Sequence, residues 1–134
     1  MTDTTLLAVN GTLMRGLKLN PNLTNAGGVF VREDKTDGHY RLWSINDDHP
    51  AMIRTIEPSS QIELEVWELP LAAFATVLSN EPAGLSIGKV KLADGSEVLG
   101  VLGEPWLVEG QREITETGGW RNYTDGRQTQ GSQT

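Results

Sequence analysis

The stretch Asn10-Gly11-Thr12-Leu13-Met14 follows directly on the apolar run Leu6 to Val9, and it is the first place where this chain's backbone could do chemistry. A strand that ends in Gly can turn sharply, and the N–H groups of such a turn can cradle an oxyanion or a carboxylate. Ordinary turns with no ligand carry the same residues. Two arginines are candidates to complete an anion site. Arg41 shares a strand face with Trp43, opposite Tyr40 and Leu42, and its guanidinium could hold a carboxylate bidentately. Arg121 follows Gly118-Gly119-Trp120, which reads as a tight backbone passage with an aromatic plug for the core, and is the second candidate.

Other reactive constellations are not indicated. With no cysteine, disulfides, thiolate metal sites and cysteine nucleophiles are excluded. His39 and His49 have no second His or carboxylate at ligand spacing, and Asp47-Asp48-His49-Pro50 reads as a charged turn, so no metal is expected. Gly88-Lys89 lacks the flanking residues of a phosphate loop, and Ser, His and Asp form no recognisable triad. No cofactor is expected.

The 134 residues are one domain in size, long enough to bury a core. A formal charge of −7, with 11 Lys and Arg scattered among 18 Asp and Glu, argues against nucleic acid or an anionic membrane as partner. There is no signal-like segment and no long apolar span, so the expected location is cytoplasmic. A homodimer is compatible with these features.

The elements that must position the turn and the arginines are mostly strands. Leu6 to Val9, Gly28 to Arg32, His39 to Ile45, Met52 to Ile56 and Gln61 to Trp67 are rich in β-branched and aromatic residues and bounded by Pro, Gly, Asn and Asp. In "QIELEVW" Ile62, Leu64 and Val66 alternate with Glu63 and Glu65, which predicts a half-buried strand. Asp94-Gly95 between two apolar runs predicts a hairpin. From Pro70 to Asn80, Leu71, Phe74, Ala75 and Leu78 recur with helical period, Pro70 suits the first helical position, and Pro82 stops the helix. The expected fold is α+β: a small mixed, curled sheet or barrel of six or seven strands with one or two helices. Residues 1–124 should form the single domain, and the polar stretch 125–134 should be a frayed, disordered tail.

The motif "NGTLMRG" resembles the Tyr-Gly-Ser/Thr-Leu opening of the γ-glutamylcyclotransferase-like fold. The similarity is closer to its allophanate hydrolase C-terminal domain branch. "GTLMRGLKLN", "TDGHYRLWSI", "IELEVWELPLAAF", "LSIGKVKLADGSEVLGVLGEP" and "EITETGGWRNY" all resemble that domain, in order, over nearly the whole chain. In the parent enzymes an amidase domain cleaves allophanate, a urea derivative, and the C-terminal domain processes the small carboxylated product by decarboxylation, so the resemblance implies a decarboxylase-like enzyme of that pathway. The resemblance therefore implies a small anionic amide or carboxylated urea as substrate. The branch carries a His in its opening Gly-Ala-His-Leu motif, whereas the corresponding residue here is Leu13.

The cyclotransferase branch pairs a backbone cradle at the opening motif with a Glu a few residues after the helix, which takes a proton from the substrate's amine. "LSNEPAGLSIG" puts Glu81 near that place. At the C-terminus of the predicted helix, Glu81 would also have its pKa raised by the macrodipole, which suits a proton carrier. The expected site is thus Glu81 as general acid or base, with substrate bound by Asn10, Gly11, Thr12, Leu13, Met14, Arg41 and Arg121. The alternatives are a γ-glutamylcyclotransferase-type enzyme using the same Glu81 and a non-catalytic binding or assembly module for an amidase.

Overall fold

The computed structural model describes residues 3–132. Its elements are β1 (Thr4–Val9), α1 (Asn20–Thr24), β2 (Val29–Lys35), β3 (Tyr40–Ile45), β4 (His49–Arg54), β5 (Glu63–Pro70), α2 (Leu71–Ser79), β6 (Leu85–Lys91), β7 (Glu97–Gly103), β8 (Arg112–Glu113) and α3 (Trp120–Ser132). Single 3-10 turns lie at Pro105–Val108 and Thr115–Thr117.

Leu7, Ala8 and Val9 are fully buried because β1 is the central strand. It pairs antiparallel with β5 and parallel with β7, in a mixed five-stranded sheet of order β2-β5-β1-β7-β6. β3 and β4 form an antiparallel hairpin that β8 extends to a second sheet of order β4-β3-β8. The fold is α+β as expected, but the curled sheet does not close into a barrel: the strands divide between two sheets.

Among the described residues there are three α-helices where one or two were expected. α1 is a five-residue turn of helix around Pro21 and shows no periodic signal. α3 continues through residues expected to fray, as far as Ser132, while residues 133 and 134 of that stretch lie outside the described residues. Its apolar content is only Trp120 and Tyr123, 4% and 6% exposed, so the helix docks by its first turn and a pattern search does not register it. Arg127, further along, reaches Asp47 at 2.9 Å.

The helix predicted over Pro70 to Asn80 is α2, but Pro70 ends β5 and precedes the first helical residue. Leu71 is half exposed, and the inward face carries Phe74, Val77 and Leu78. The strand expected at Met52 to Ile56 begins at His49 instead and ends before Ile56, which is 93% exposed. β4 includes Pro50, which a central strand would reject. At the edge of its sheet it needs fewer N–H donors and tolerates one.

β5 departs from simple alternation in a way that matters below. Ile62, Leu64 and Val66 are buried as predicted, and Glu63 is exposed, but Glu65 on the same face as Glu63 is only 2% exposed. Arg15 from the loop after β1 and Arg121 from α3 close over it.

Candidate functional site

β1 ends at Val9, and the chain then enters a turn whose donors and acceptors are unevenly used. Met14 N–H donates to the Gly11 carbonyl at 3.0 Å and Leu19 N–H to the Thr12 carbonyl at 2.9 Å, while Asn20 Nδ2 donates to the Leu13 carbonyl at 2.8 Å. The carbonyls are thus taken up in fixing the turn. Among the described residues the Gly11, Thr12 and Leu13 N–H groups donate to no other protein group. Gly11 is required by a close approach: a Cβ there would lie 2.5 Å from Cδ of Pro50 on β4. Gly16 is required by its backbone, at φ +77°.

The Asn10 side chain is buried and crosses to β7. Its Nδ2 donates to the Val101 carbonyl at 3.0 Å and lies 3.9 Å from the Met52 sulfur. Because β7 runs parallel to β1, Val101 stands beside the start of the turn.

Glu81 arrives from the other side. Its N–H donates to the Leu78 carbonyl at 3.1 Å, so the residue caps the last turn of α2. The following loop is held under the 3-10 turn at Pro105–Val108: Glu104 N–H donates to the Gly84 carbonyl at 2.8 Å, and a Cβ on Gly84, at φ +92°, would meet Trp106 and Leu107. Glu81 is half buried, and burial pushes its pKa up from 4.5 to about 7. Loss of water around the carboxyl is the cause of the shift.

Turn and carboxyl meet in one small pocket of about 20 Å³, lined by Val9, Asn10, Gly11, Thr12, Leu13, His49, Pro50, Glu81, Leu85 and Val101. Next to it lies a mostly apolar cavity of about 140 Å³ that shares Glu81, Leu85 and Val101 with the first. Four of the residues expected to bind substrate, Asn10 to Leu13, therefore stand with Glu81.

The others stand elsewhere. Met14 lines a separate cavity together with Arg121. Arg121 is engaged there, donating to Glu65 Oε2 at 3.2 Å and to the Arg15 carbonyl at 3.0 Å. Arg41 lines neither cavity: it forms a bidentate pair with Glu113, its Nε donating to Oε2 at 2.9 Å and its Nη2 to Oε1, and it lies over Trp43 at 4.7 Å from the ring centroid. That pair raises the pKa of Arg41 and lowers that of Glu113, first of all through the hydrogen bond between them. Both guanidiniums recognise carboxylates as their type suggests, but the carboxylates are the protein's own. Among the described residues no Lys or Arg lines the Glu81 pocket.

The pocket residue not singled out from the sequence is His49. Its carboxylate-rich neighbours suggest only a turn, and that turn is real, with Asn46 and Asp47 at φ 53° and 58°. The hairpin places His49 opposite Ile45 at the start of β4, next to the Pro50 that covers Gly11. Its Nδ1 lies 3.0 Å from the Pro50 carbonyl. Among the described residues no group of three or more His, Cys, Asp or Glu could hold a metal, and no helix is long and apolar enough to cross a membrane.

Solved structures reproduce this arrangement of elements. A crystal structure of a uropathogenic E. coli-specific protein matches with a TM-score of 0.90 and 72% identity, over 92% of this chain and 97% of that one. Allophanate hydrolase from Kluyveromyces lactis matches with a TM-score of 0.88 and 28% identity, over 92% of this chain but 21% of the enzyme. A γ-glutamyl cyclotransferase at 13% identity and a TM-score of 0.51 shares the fold alone, over 75% of this chain and 66% of that one. In sequence, the urea amidolyase of Lachancea kluyveri is 32% identical over 130 residues, 92% of this chain and 7% of the relative. The chain thus spans under a tenth of the length of the urea amidolyase it matches. The model of the allophanate hydrolase C-terminal domain matches residues 5–125, from the start of β1 into α3, and the chain belongs to that family.

Proposed function

We propose that this domain binds a small anionic amide or carboxylated urea derivative between the Asn10 to Leu13 turn and Glu81, and that Glu81 moves a proton in processing it. One observation carries the reading: a carboxyl whose pKa burial brings to about 7 lines the same pocket as the donors of the turn. Near neutral pH such a group is present in both forms, so it can release a proton to a departing nitrogen or accept one from an attacking amine. The amides of Gly11, Thr12 and Leu13 suit the oxygens of a carboxylate or of a developing oxyanion. Membership of the family supports a carboxylated urea as the substrate class.

A second reading, a binding or assembly module for an amidase, is favoured by the relatives in which this domain is a small part of a much larger enzyme. A third, cyclotransferase chemistry on a γ-glutamyl amine, is supported by the shared fold and uses the same Glu81. One experiment separates all three. Wild-type protein and Glu81→Gln are offered γ-glutamyl methylamide and, in parallel, the carboxylated product generated from allophanate by an added amidase, with ammonia, CO2 and cyclised product measured. Turnover of the carboxylated product lowered about 10² to 10⁴-fold by Glu81→Gln is the expected result. Turnover untouched by the substitution removes Glu81 from the chemistry, and binding without turnover moves the domain to the assembly class.

A further inference from the structure

We infer that His49 is a second proton-transfer residue of this pocket, with Nε2 acting as the base that complements Glu81. The inference rests on the reading of the pocket given above and adds to it a residue, a tautomer and a direction of proton flow.

The tautomer follows from one contact. A carbonyl oxygen only accepts, so at 3.0 Å from the Pro50 oxygen Nδ1 must carry the hydrogen. In the neutral ring Nε2 is then an unprotonated acceptor. Nε2 has no protein hydrogen-bond partner among the described residues, and His49 lines the same pocket as Glu81. His49 and Glu81 are the titratable side chains among those lining residues.

The ring is also held in place from behind. The hairpin turn before it has two residues in the left-handed region, and Asp47 in that turn accepts hydrogen bonds from Ser44 Oγ at 2.6 Å and Tyr123 Oη at 2.7 Å and pairs with Arg127 at 2.9 Å. α3 thereby pins the turn that delivers His49. Pro50, next in sequence, is pressed against Gly11, so imidazole and cradle are fixed to each other through adjacent residues.

The division of labour is that of an acid and a base on one amide. As a nucleophile, water or the substrate's own amine, bonds to the carbonyl carbon, its proton passes to Nε2. As the carbon–nitrogen bond breaks, the proton of the Glu81 carboxyl passes to the departing nitrogen. The imidazolium proton then returns through solvent to the Glu81 carboxylate, and both groups are restored.

Two substitutions distinguish this role from a structural one. His49→Asn keeps an N–H donor where Nδ1 stands and removes Nε2, whereas His49→Gln places an amide nearer Nε2 and loses the donor to Pro50. The expected result is that His49→Asn melts like the wild type and turns over the carboxylated product of allophanate cleavage about 10² to 10⁴-fold more slowly. Nitrogen-15 NMR gives a readout that needs no turnover: Nδ1 protonated, Nε2 bare, and the Nε2 resonance moving on titration with allophanate while the His39 ring does not respond. Wild-type turnover in His49→Asn overturns the inference. So does an Nε2 resonance that stays still while the Gly11, Thr12 and Leu13 amides shift, and that pattern leaves the pocket reading standing. If neither amides nor imidazole respond and the wild type turns over neither substrate, the proposed function fails and this inference fails with it.

Discussion

Pro50 Cδ stands 2.5 Å from the position a Cβ on Gly11 would occupy, so the turn after β1 and the edge strand β4 meet with no room for a single methyl group. Other contacts around the pocket can adjust by rotating a side chain. Here one partner is a ring locked into the backbone.

Gly11→Ala is therefore expected to destabilise the protein by about 1 to 3 kcal/mol, the usual range for overpacking a well-filled site. It should also move the His49 and Ala51 backbone amide resonances, since the strain is relieved most readily by displacing β4. Denaturant unfolding and an amide correlation spectrum check both parts. A Gly11→Ala protein with wild-type stability and unshifted β4 resonances would show that the turn can retreat without disturbing the strand. Larger residues at position 11 are poor probes of anion binding for the same reason, because they disturb the pocket wall and the cradle together.

Glu65 predicts a second sensitivity. Its carboxylate is 3% exposed and accepts from Arg15 N–H at 2.9 Å, Arg15 Nε at 3.3 Å, Trp67 Nε1 at 3.1 Å and Arg121 Nη2 at 3.2 Å. Removing one partner of a buried ion pair leaves uncompensated charge and typically destabilises by about 3 to 5 kcal/mol. Arg121→Ala should fall below that range, at about 1 to 3 kcal/mol, because Arg15 still faces the carboxylate. Deleting both guanidiniums should cost more than the sum of the single losses, as measured by a double-mutant cycle in urea. Strict additivity would mean that water replaces the arginines and that the cluster is not a unit.

The sequence makes some of this legible and conceals the rest for physical reasons. Asp94-Gly95 gives its hairpin because only Gly accepts the φ of +89° found there, and β5 shows itself through Ile62, Leu64 and Val66. Such signals are local. Arg41 and Arg121 were recognisable as carboxylate binders, but whether the carboxylate is Glu113, Glu65 or a ligand depends on pairings 72 and 56 residues away along the chain. Glu65 looks like a solvated residue because its burial comes from a loop and a helix distant in sequence. His49 reads as part of a charged turn, and only the register of β3 on β4, with Pro50 against Gly11, brings it to the pocket. Glu81 was legible from its place after a helix, yet the cause of its raised pKa was not, since burial is a tertiary property.

Deleting residues 118–134 is expected to abolish cooperative melting. That segment supplies Trp120 and Tyr123 to the core, Arg121 to Glu65, and the hydroxyl of Tyr123 to Asp47. Differential scanning calorimetry of the 1–117 fragment tests this, and a sharp transition near the wild-type temperature would contradict it.

Glu81 also links stability to pH, with a sign that can be worked out in advance. In the unfolded chain its carboxyl titrates near 4.5, and in the folded protein near 7, so between those values the folded state holds more protons. Folding is then favoured by the neutral carboxyl, and the favourable contribution is complete below about pH 4.5 and disappears as pH rises through about 7. Glu81→Gln has no such proton to lose. Compared at successive pH values from 4.5 to 8, its stability relative to wild type should rise steadily across the window and level off above it. The subtraction matters because Glu113 and Asp47, with pKa values lowered by their hydrogen-bond partners, act in the opposite direction at lower pH, and they are common to both proteins. Urea midpoints at constant ionic strength provide the measurement. Parallel curves for the two proteins would mean that water reaches the Glu81 carboxyl freely, and a carboxyl so solvated would not be poised to exchange protons near neutrality.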